Sequence, residues 1–329
     1  MTTARAYVTG GTSNGEAWLV EPRRLGAELK LSSDTTECCC AYNMLKLTRH
    51  LYRWTADPRY FDYYERTLYN HRLGAINLQN GHTQYYLSIV PAAWRTFGTE
   101  DLSFWCCNGT GVEDFSKLNN SIYFHDAEGI YVNLFIPSEL DWKEKGIRLR
   151  QETVFPDSPQ TILVIETPAP AHMPFHIRIP RWVGANASLR VNGELFPVIP
   201  TPGSYLSVSR TWKQGDRVQV DVPMYLYTES MPDESTTRAL LYGPLVLAGK
   251  FGSDGLNELM IVGPLGPDVK KHPLMVPPLQ ASSKNLDSWL KPIPGESLTF
   301  RTTGQERDVT LVPLDRVPEE RYSVYWTVT

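Results

Sequence analysis

The sequence predicts a multidomain protein in which helices come first and strands follow. Helical periodicity dominates before about residue 125, and short alternating strand patterns dominate after it. A chain of 329 residues is long enough for two domains, each with its own core. Because the two patterns follow one another and do not alternate, we expect a helical region over residues 1–125 and a β-sandwich region over 126–329.

Three segments of the first region have helical patterns. In CAYNMLKLTRHLYRW, apolar residues recur at spacings of three and four from Cys40 to Trp54, which makes one apolar face. DPRYFDYYERTLYNHRLGAI begins with the start signal Asp57-Pro58 and keeps a helical spacing to the pair Arg72-Leu73. GVEDFSKLNNSIYF is a third, shorter candidate. GHTQYYLSIVPAAWRTF, which lies before the third, is expected to be extended.

The second region contains short runs with a period of two, separated by proline, glycine, asparagine and aspartate. Such runs at regular spacing predict an antiparallel β-sandwich. VNGELFPV is expected to be a hairpin with Asn192-Gly193 as its turn. Residues 252–300 are rich in proline and weakly patterned, so we expect a surface excursion there. DVTLVPL and RYSVYWTV are expected to return to the sheet as final strands.

Composition excludes several classes of partner. The formal net charge is −4, and lysine and arginine are scattered, whereas nucleic-acid binding requires a concentrated basic face. No apolar run approaches the roughly 18 residues of a membrane span, and MTTARAYVTGG lacks the layout of a secretory signal. We therefore expect neither a nucleic acid nor a membrane as partner. Free thiols without a signal favour the cytoplasm.

The five cysteines occur in two runs of neighbours, TTECCC at residues 35–40 and Cys106-Cys107. Neighbouring cysteines rarely pair with each other, and five is an odd number, so a disulfide framework is the weaker interpretation. Metal ligands or a nucleophile are the favoured interpretation. One glutamate oxygen with three thiolates makes a four-coordinate set that suits zinc.

The alternative for TTECCC is an ordinary helix start. Asp34 would then be the N-cap with Glu37 three residues later, and the cysteines would be small buried residues. Three consecutive helical side chains point about 100° apart, however, and cannot share one core face. Glu37 and Cys39 converge only where the backbone is not yet regular helix.

A second candidate for chemistry is TGGTSNGEAW, which places Glu16 in a tight glycine-flanked loop next to Trp18. Burial against an aromatic ring suits a carboxyl group to general-acid catalysis. A phosphate-binding loop is not expected, because the GK[ST] ending is missing. The alternative is a solvated loop glutamate.

Further stretches belong with these two motifs: TECCCAYNMLKLTRHLY, YYERTLYNHRL, SFWCCNGTGVED and IYVNLFIPSELDWKEKGIRLRQE. Together they resemble glycoside hydrolase family 127, the bacterial β-L-arabinofuranosidases also known as DUF1680, over essentially the whole chain to RYSVYW. The resemblance implies an (α/α)6-barrel catalytic domain followed by β-sandwich domains. Such a barrel needs about a dozen helices. We therefore expect the carboxy-terminal part of a longer enzyme, with any export signal outside the chain.

The resemblance also implies catalytic roles. The acid/base glutamate of the family's GEA motif falls on Glu16, and Glu21 is the alternative because the segment that follows is longer than in the best-known members. The first of the family's paired cysteines, the nucleophile, falls on Cys106. A substrate-contacting tyrosine falls on Tyr85, with Tyr86 as an equal candidate.

The implied cofactor is Zn2+. The family's E-x-C motif and its paired cysteines supply the implied ligands, which are Glu37, Cys39, Cys106 and Cys107. Cys38 and Cys40 are then neighbours of the ligands.

The implied function is retaining hydrolysis of an arabinose-containing oligosaccharide or glycan. Alternatives are an inactive truncated remnant and a non-catalytic, zinc-stabilised carbohydrate-binding protein that uses Trp105, Trp182 and Tyr225. A binding protein needs neither an acid nor an exposed thiolate, so Glu16 and Cys106 separate the hypotheses. The sequence predicts no particular oligomeric state.

Overall fold

The structure is a computed structural model that describes residues 2–263, 265–281, 283 and 285–329. Its α-helices are α1 (Leu25–Leu29), α2 (Cys38–Thr55), α3 (Arg59–Thr67), α4 (Cys106–Ser116) and α5 (Glu258–Ile261). A π-helical turn, Leu68–Arg72, continues α3, and short 3-10 helices cover Leu118–Ser121, Lys143–Lys145, Leu286–Ser288 and Leu314–Arg316. In the part of the chain that the structure describes, no helix combines the length and apolar character of a membrane span.

The remaining regular structure is β. The first ten strands are β1 (Tyr123–His125), β2 (Ile130–Val132), β3 (Ser138–Trp142), β4 (Ile147–Thr153), β5 (Gln160–Glu166), β6 (Ala171–Ile179), β7 (Ser188–Val191), β8 (Glu194–Leu195), β9 (Ser204–Trp212) and β10 (Arg217–Asp221). The others are β11 (Leu226–Met231), β12 (Glu234–Tyr242), β13 (Leu245–Lys250), β14 (Leu290–Pro292), β15 (Phe300–Thr302), β16 (Thr310–Pro313), β17 (Tyr322–Ser323) and β18 (Tyr325–Thr327). The few helices therefore precede a β-rich carboxy-terminal region, as predicted.

The described strands form three sheets. A four-stranded sheet has the order β1-β2-β6-β9, and a six-stranded sheet has the order β3-β4-β5-β10-β7-β8. The third sheet has eight strands, in which β11-β12-β13-β16-β15-β14 is the main path and β17 and β18 pair with β13 and β12. The prediction of a purely antiparallel arrangement is wrong at one place, because β2 and β6 run parallel.

The residues group into two compact units. One comprises Met1–Leu47, Tyr63–Phe115 and Leu226–Thr329, and the other comprises Thr48–Asp62 and Ser116–Tyr225. The predicted boundary at residue 125 between a helical region and a β-sandwich region stays a prediction. The units follow contacts in space, and the eight-stranded sheet belongs to the first unit together with the loops before α2 and α4.

The eight-stranded sheet supports the extended segment predicted over residues 81–97. Leu87 and Ile89 are fully buried in one apolar cluster with Leu241 and Val246 of the sheet. Tyr322 donates its backbone N–H to the carbonyl of residue 93 and its hydroxyl to that of residue 88. Burying one large apolar side chain contributes about 1.5–3 kcal/mol, so this contact holds the segment firmly.

Two local predictions have opposite outcomes. Asn192 and Gly193 have φ of 53° and 86°, the left-handed values of a type I′ turn, so the predicted hairpin is confirmed. The surface excursion over 252–300 is wrong in part. Leu279, Trp289 and Leu290 are buried in a second apolar cluster of the same unit, because the chain returns there to the sheet and adds β14 to it.

Candidate metal and catalytic centre

Three separate segments lie side by side in the first unit. Asn14 forms a bridge with Thr35, and Glu37 forms one with Tyr86. Backbone hydrogen bonds join residue 36 to residue 13 over 3.0 Å and residue 38 to residue 85 over 3.0 Å. These contacts place the loops that carry Glu16 and Glu37 beside Tyr85.

The same loops contain backbone in the left-handed region without glycine. Ser13, Glu16 and Thr36 have φ of 84°, 64° and 54°. Each such residue costs of order 1–3 kcal/mol and persists only where its surroundings fix it. The fully buried imidazole of His71 helps to fix the backbone of Thr36, since His71 Nε2 lies 2.9 Å from the Thr36 carbonyl oxygen. Strain of this kind concentrates at functional sites.

Glu37 is the residue that caps α2. The helix begins at Cys38, and Glu37 Oε2 accepts a hydrogen bond of 2.6 Å from the backbone N–H of Cys40. The alternative interpretation of Asp34 as the cap is therefore wrong. Since one carboxylate oxygen satisfies the helix, the other faces the thiols: Glu37 Oε1 lies 3.0 Å from Cys107 Sγ and 4.0 Å from Cys106 Sγ.

The two cysteine runs meet because each opens a helix. Cys39 lies in the first turn of α2, and Cys106 and Cys107 are the first two residues of α4. Cys39 Sγ lies 3.4 Å from Cys107 Sγ. The ligand atoms of Glu37, Cys39, Cys106 and Cys107 all lie within 4.8 Å of one another. One carboxylate and three thiols in this arrangement can hold a metal ion.

The electrostatics of these four residues, termed the Cys3Glu cluster below, also fit a cation. Burial raises the pKa of the Cys39 thiol to about 12, and burial followed by the charge of Cys38 raises that of Cys107 further. Burial also acts to raise the pKa of Glu37, but hydrogen bonds from Cys40 and Cys107 outweigh it and hold that pKa below its ordinary value. A positive ion would offset the desolvation of the thiolates.

Beside the cluster, one phenol joins the two predicted catalytic groups. The Tyr85 hydroxyl donates to Glu16 Oε1 and accepts a hydrogen bond from Cys106 Sγ over 3.5 Å. Tyr86 also reaches Glu16 Oε1, at 3.5 Å. Hydrogen bonding to Cys106 and Glu16, followed by burial, raises the pKa of Tyr85, so its phenol stays protonated.

Glu16 and Cys106 are both exposed, so a ligand can reach them. The expected burial of Glu16 against Trp18 is wrong, since Trp18 is 45% exposed and donates to Thr12 Oγ1. Of the two glutamates considered, the structure brings Glu16 to Tyr85, whereas Glu21 lies in the turn before α1. Trp105 packs edge-on against Tyr85 at a centroid distance of 6.1 Å.

A buried ion pair that was not predicted from the sequence lies behind the cluster. Arg72 Nε pairs with Asp114 of α4, and Arg72 Nη1 donates to the Cys38 carbonyl over 3.1 Å. The Arg72 side chain is 2% exposed, so this pair joins the first turn of α2 to α4 from inside the unit. Periodicity placed Arg72 at the end of an ordinary helix. The sequence did contain one indication of this burial: Arg72 falls on the same helical face as the apolar residues Phe61 and Leu68.

Family models match along most of the chain. Residues 1–120 match the β-L-arabinofuranosidase GH127 catalytic domain. Residues 129–224 match the GH127 middle domain. The chain belongs to glycoside hydrolase family 127. Residues 227–328 match DUF4986, a domain of unknown function, and no curated protein matches the chain. The resemblance to family 127 found in the sequence is thereby confirmed.

Solved structures share the fold of this family 127 chain at low sequence identity. One, described as a glycoside hydrolase, has a TM-score of 0.72 and 21% identity over 99% of this chain and 60% of its own. A GH127 β-L-arabinofuranosidase from Geobacillus stearothermophilus T6 has a TM-score of 0.74 and 18% identity over 100% of this chain and 55% of its own.

A GH127 β-arabinofuranosidase has a TM-score of 0.75 and 22% identity over 100% of this chain and 54% of its own. The chain thus spans between 54% and 60% of the length of these solved relatives.

Proposed function

We propose that this chain is a retaining glycoside hydrolase that acts on β-L-arabinofuranosides. The observation that carries the proposal is the meeting of the Cys106 thiol and the Glu16 carboxylate at Tyr85, beside the Cys3Glu cluster. The family assignment and the arabinofuranosidase activity of two solved relatives support the substrate class.

In the proposed first step, Cys106 reacts as the thiolate: its sulfur attacks the anomeric carbon and the glycosidic carbon–oxygen bond breaks. Glu16 gives its proton to the departing oxygen. In the second step the Glu16 carboxylate takes a proton from water, whose oxygen attacks the same carbon, and the carbon–sulfur bond breaks. Two displacements at one carbon retain the configuration. Tyr85 orients Glu16 and keeps it next to the thiol.

We further propose Zn2+ as the cofactor, held by the four residues of the Cys3Glu cluster. Tetrahedral zinc with sulfur ligands at about 2.3 Å needs donor atoms roughly 3.8 Å apart. The distances of 3.4 Å between two thiols and of 3.0 and 4.0 Å between thiols and Glu37 are close to this value. Bound zinc would supply the positive charge that keeps the thiols ionised.

The barrel fold belongs to the same proposal. Among the described residues, α2, α3 and α4 are the α-helices of nine or more residues, whereas an (α/α)6 barrel has about a dozen helices. We expect these three to be barrel helices. A crystal structure of the zinc-loaded protein would test this, since α2 and α4 should line one interior face with the cluster at its end.

The test combines zinc content by elemental analysis with release of p-nitrophenol from its β-L-arabinofuranoside. Wild type should contain about one zinc per chain, since the Cys3Glu cluster is the one such group among the described residues. Cys106→Ala and Glu16→Gln should each lose at least about a thousandfold in kcat/KM, as expected when a nucleophile or an acid is removed.

A matched control comes from the chain itself. Glu21→Gln makes the same change as Glu16→Gln outside the proposed machinery and should keep turnover and zinc within about twofold of wild type. Zinc without turnover in the wild type would favour a carbohydrate-binding protein or an inactive remnant. Absence of zinc would contradict the metal assignment. For the binding alternative, Trp182 is unsuited, because it is buried and stacked on Phe155.

A further inference from the structure

A cavity of the first unit has no residue in common with the Cys3Glu cluster or with Glu16 and Tyr85. Its volume is about 530 Å3, within the range of roughly 300–1,000 Å3 typical of small-molecule sites. Three stretches line it: a turn at residues 77–79, the pair Arg95 and Phe97, and residues 315–319.

Arg95 gives this cavity a feature that ordinary surface depressions lack. Its side chain is 5% exposed, and its Nη2 donates to the Leu314 carbonyl. Within the described part of the chain, Arg95 Nε has no hydrogen-bond acceptor. Buried donors are nearly always paired, because leaving one unpaired destabilises the fold. Arg95 lines the cavity, and a small shift of its enclosed side chain would bring Nε to a ligand oxygen there, which would supply the missing acceptor.

The rest of the lining indicates what kind of ligand fits. Arg95 and Arg316 are balanced by Asp315 and Glu319, so the wall carries both signs and does not favour a net charge on the ligand. The side chain of Gln79, like that of Asn77, offers both an amide donor and a carbonyl acceptor.

The same cavity also has apolar lining residues, among them Phe97 and Pro318. Hydroxyl groups both donate and accept hydrogen bonds, and a sugar ring presents its C–H groups on one face. A neutral sugar can therefore pair its hydroxyls with the polar side chains of the lining and its C–H face with the apolar ones. An anion would meet the two carboxylates.

We infer that this cavity is a second, non-catalytic binding site for a neutral sugar of one or two rings, with Arg95 as its buried hydrogen-bond donor. Hydrolysis at Cys106 is not required for this binding, so the inference and the proposed function succeed or fail separately. On a polymeric substrate, such a site would hold the chain at a distance from the point of cleavage.

The test is an NMR titration of the 15N-labelled full chain with L-arabinose, and separately with D-galacturonate as an anionic comparator. The side-chain amide signal of Gln79 is assigned by its disappearance in Gln79→Ala. L-arabinose should shift this signal in a saturable manner, and Glu16→Gln should give the same titration, since Glu16 lies outside the cavity.

Variants then test the donor. Arg95→Met, which keeps the volume and removes the donors, should weaken binding about tenfold or more. Arg301→Met, which changes an exposed arginine on β15 of the same unit, should not alter it. If Arg95→Met does not fold, Gln79→Ala serves instead, because Gln79 is exposed. It should weaken binding by roughly threefold or more, observed at the Asn77 amide.

Three results would overturn the inference. One is no shift at Gln79 up to about 50 mM sugar, a concentration far above the dissociation constant of a functional site. Another is tighter binding of D-galacturonate than of L-arabinose, which would indicate an anion site. The third is unchanged affinity in a folded Arg95→Met protein.

Discussion

Tyr85 and Tyr86 are neighbours in sequence whose hydroxyls differ in what they contact. That of Tyr85 reaches both Glu16 and Cys106, and that of Tyr86 lies 3.5 Å from Glu16. Tyr85→Phe should therefore lower kcat/KM about 10- to 100-fold, the loss of one hydrogen bond to a charged group, with zinc content unchanged. Tyr86→Phe should lower it less than about fivefold. Steady-state kinetics would contradict this assignment if the order were reversed.

His71 makes stability depend on pH. Burial, followed by the charge of Arg72, lowers its pKa from 6.5 to about 3 in the folded protein. Between these values the unfolded chain binds the proton and the folded chain does not. The contribution of neutral His71 to the free energy of unfolding is therefore fully present above about pH 6.5. It falls by about 1.4 kcal/mol per pH unit as pH drops towards 3. Urea unfolding between pH 7 and 4.5 measures this slope.

The control for this prediction is another histidine. His71→Gln should flatten the slope even if it lowers stability overall, and His172→Gln, at an exposed position on β6, should leave the slope as in wild type. An unchanged slope in His71→Gln would assign the pH dependence to other groups.

For single residues, the sequence indicated the metal-ligand candidates better than the buried residues that hold them in place. The runs of cysteine next to Glu37 are visible as letters, because metal ligands must be particular residue types. Arg72 and Asp114 are ordinary surface residues by type, and only their burial makes them supports for the cluster. Burial depends on what packs against a residue, which periodicity along one helix does not reveal.

Among the elements, the Arg72–Asp114 pair joins the beginning of α2 to the carboxy-terminal part of α4. Arg72→Met should lower the free energy of unfolding by about 3–5 kcal/mol, because Asp114 would be left as a buried, unpaired charge. Arg59→Met is the matched control, since Arg59 pairs with Asp57 but is 77% exposed, and should change it by less than about 1 kcal/mol. Urea unfolding followed by tryptophan fluorescence checks both, and similar losses would contradict the prediction.

Two glycines with open space around them should respond to alanine in opposite directions. Gly193 of the β7–β8 hairpin has φ of 86°, so Gly193→Ala should lower stability by about 1–2 kcal/mol through the backbone alone. Gly109 lies within α4, where alanine should raise stability by about 0.5–1 kcal/mol. Melting temperatures of the two variants test this, and a shift of the same sign in both would contradict it.

The periodic patterns predicted the type of element more reliably than its surroundings. The helix over Cys40–Trp54 and the hairpin at Asn192-Gly193 depend on local spacing and turn chemistry, and both are present. The segment over 252–300 has little period because only short pieces of it, such as the three-residue strand β14, join the sheet or pack against it. Trp289 is buried there by contacts from distant strands, which no local pattern contains.

For the whole molecule, the proposed zinc links folding to activity. Removing it with a chelator should abolish turnover and lower the free energy of unfolding by about 3 kcal/mol, the effect of a ligand present at about 100 times its dissociation constant. Added zinc should restore both. Cys107→Ala, which lacks one ligand, should show no further change with chelator. Full stability and turnover after complete removal of zinc would contradict the proposal.

The sequence by itself determined the order of helices before strands, the family and the residue types of the candidate centre. These depend on local periodicity and on motifs of neighbouring letters. Tertiary structure alone decided that Glu37 caps α2 while facing Cys107, and that the buried Arg72 joins the beginning of α2 to α4. It also decided where Arg95 is left with an unpaired donor in a cavity wall. The physical reason is that burial and pairing between distant segments are properties of the packed chain.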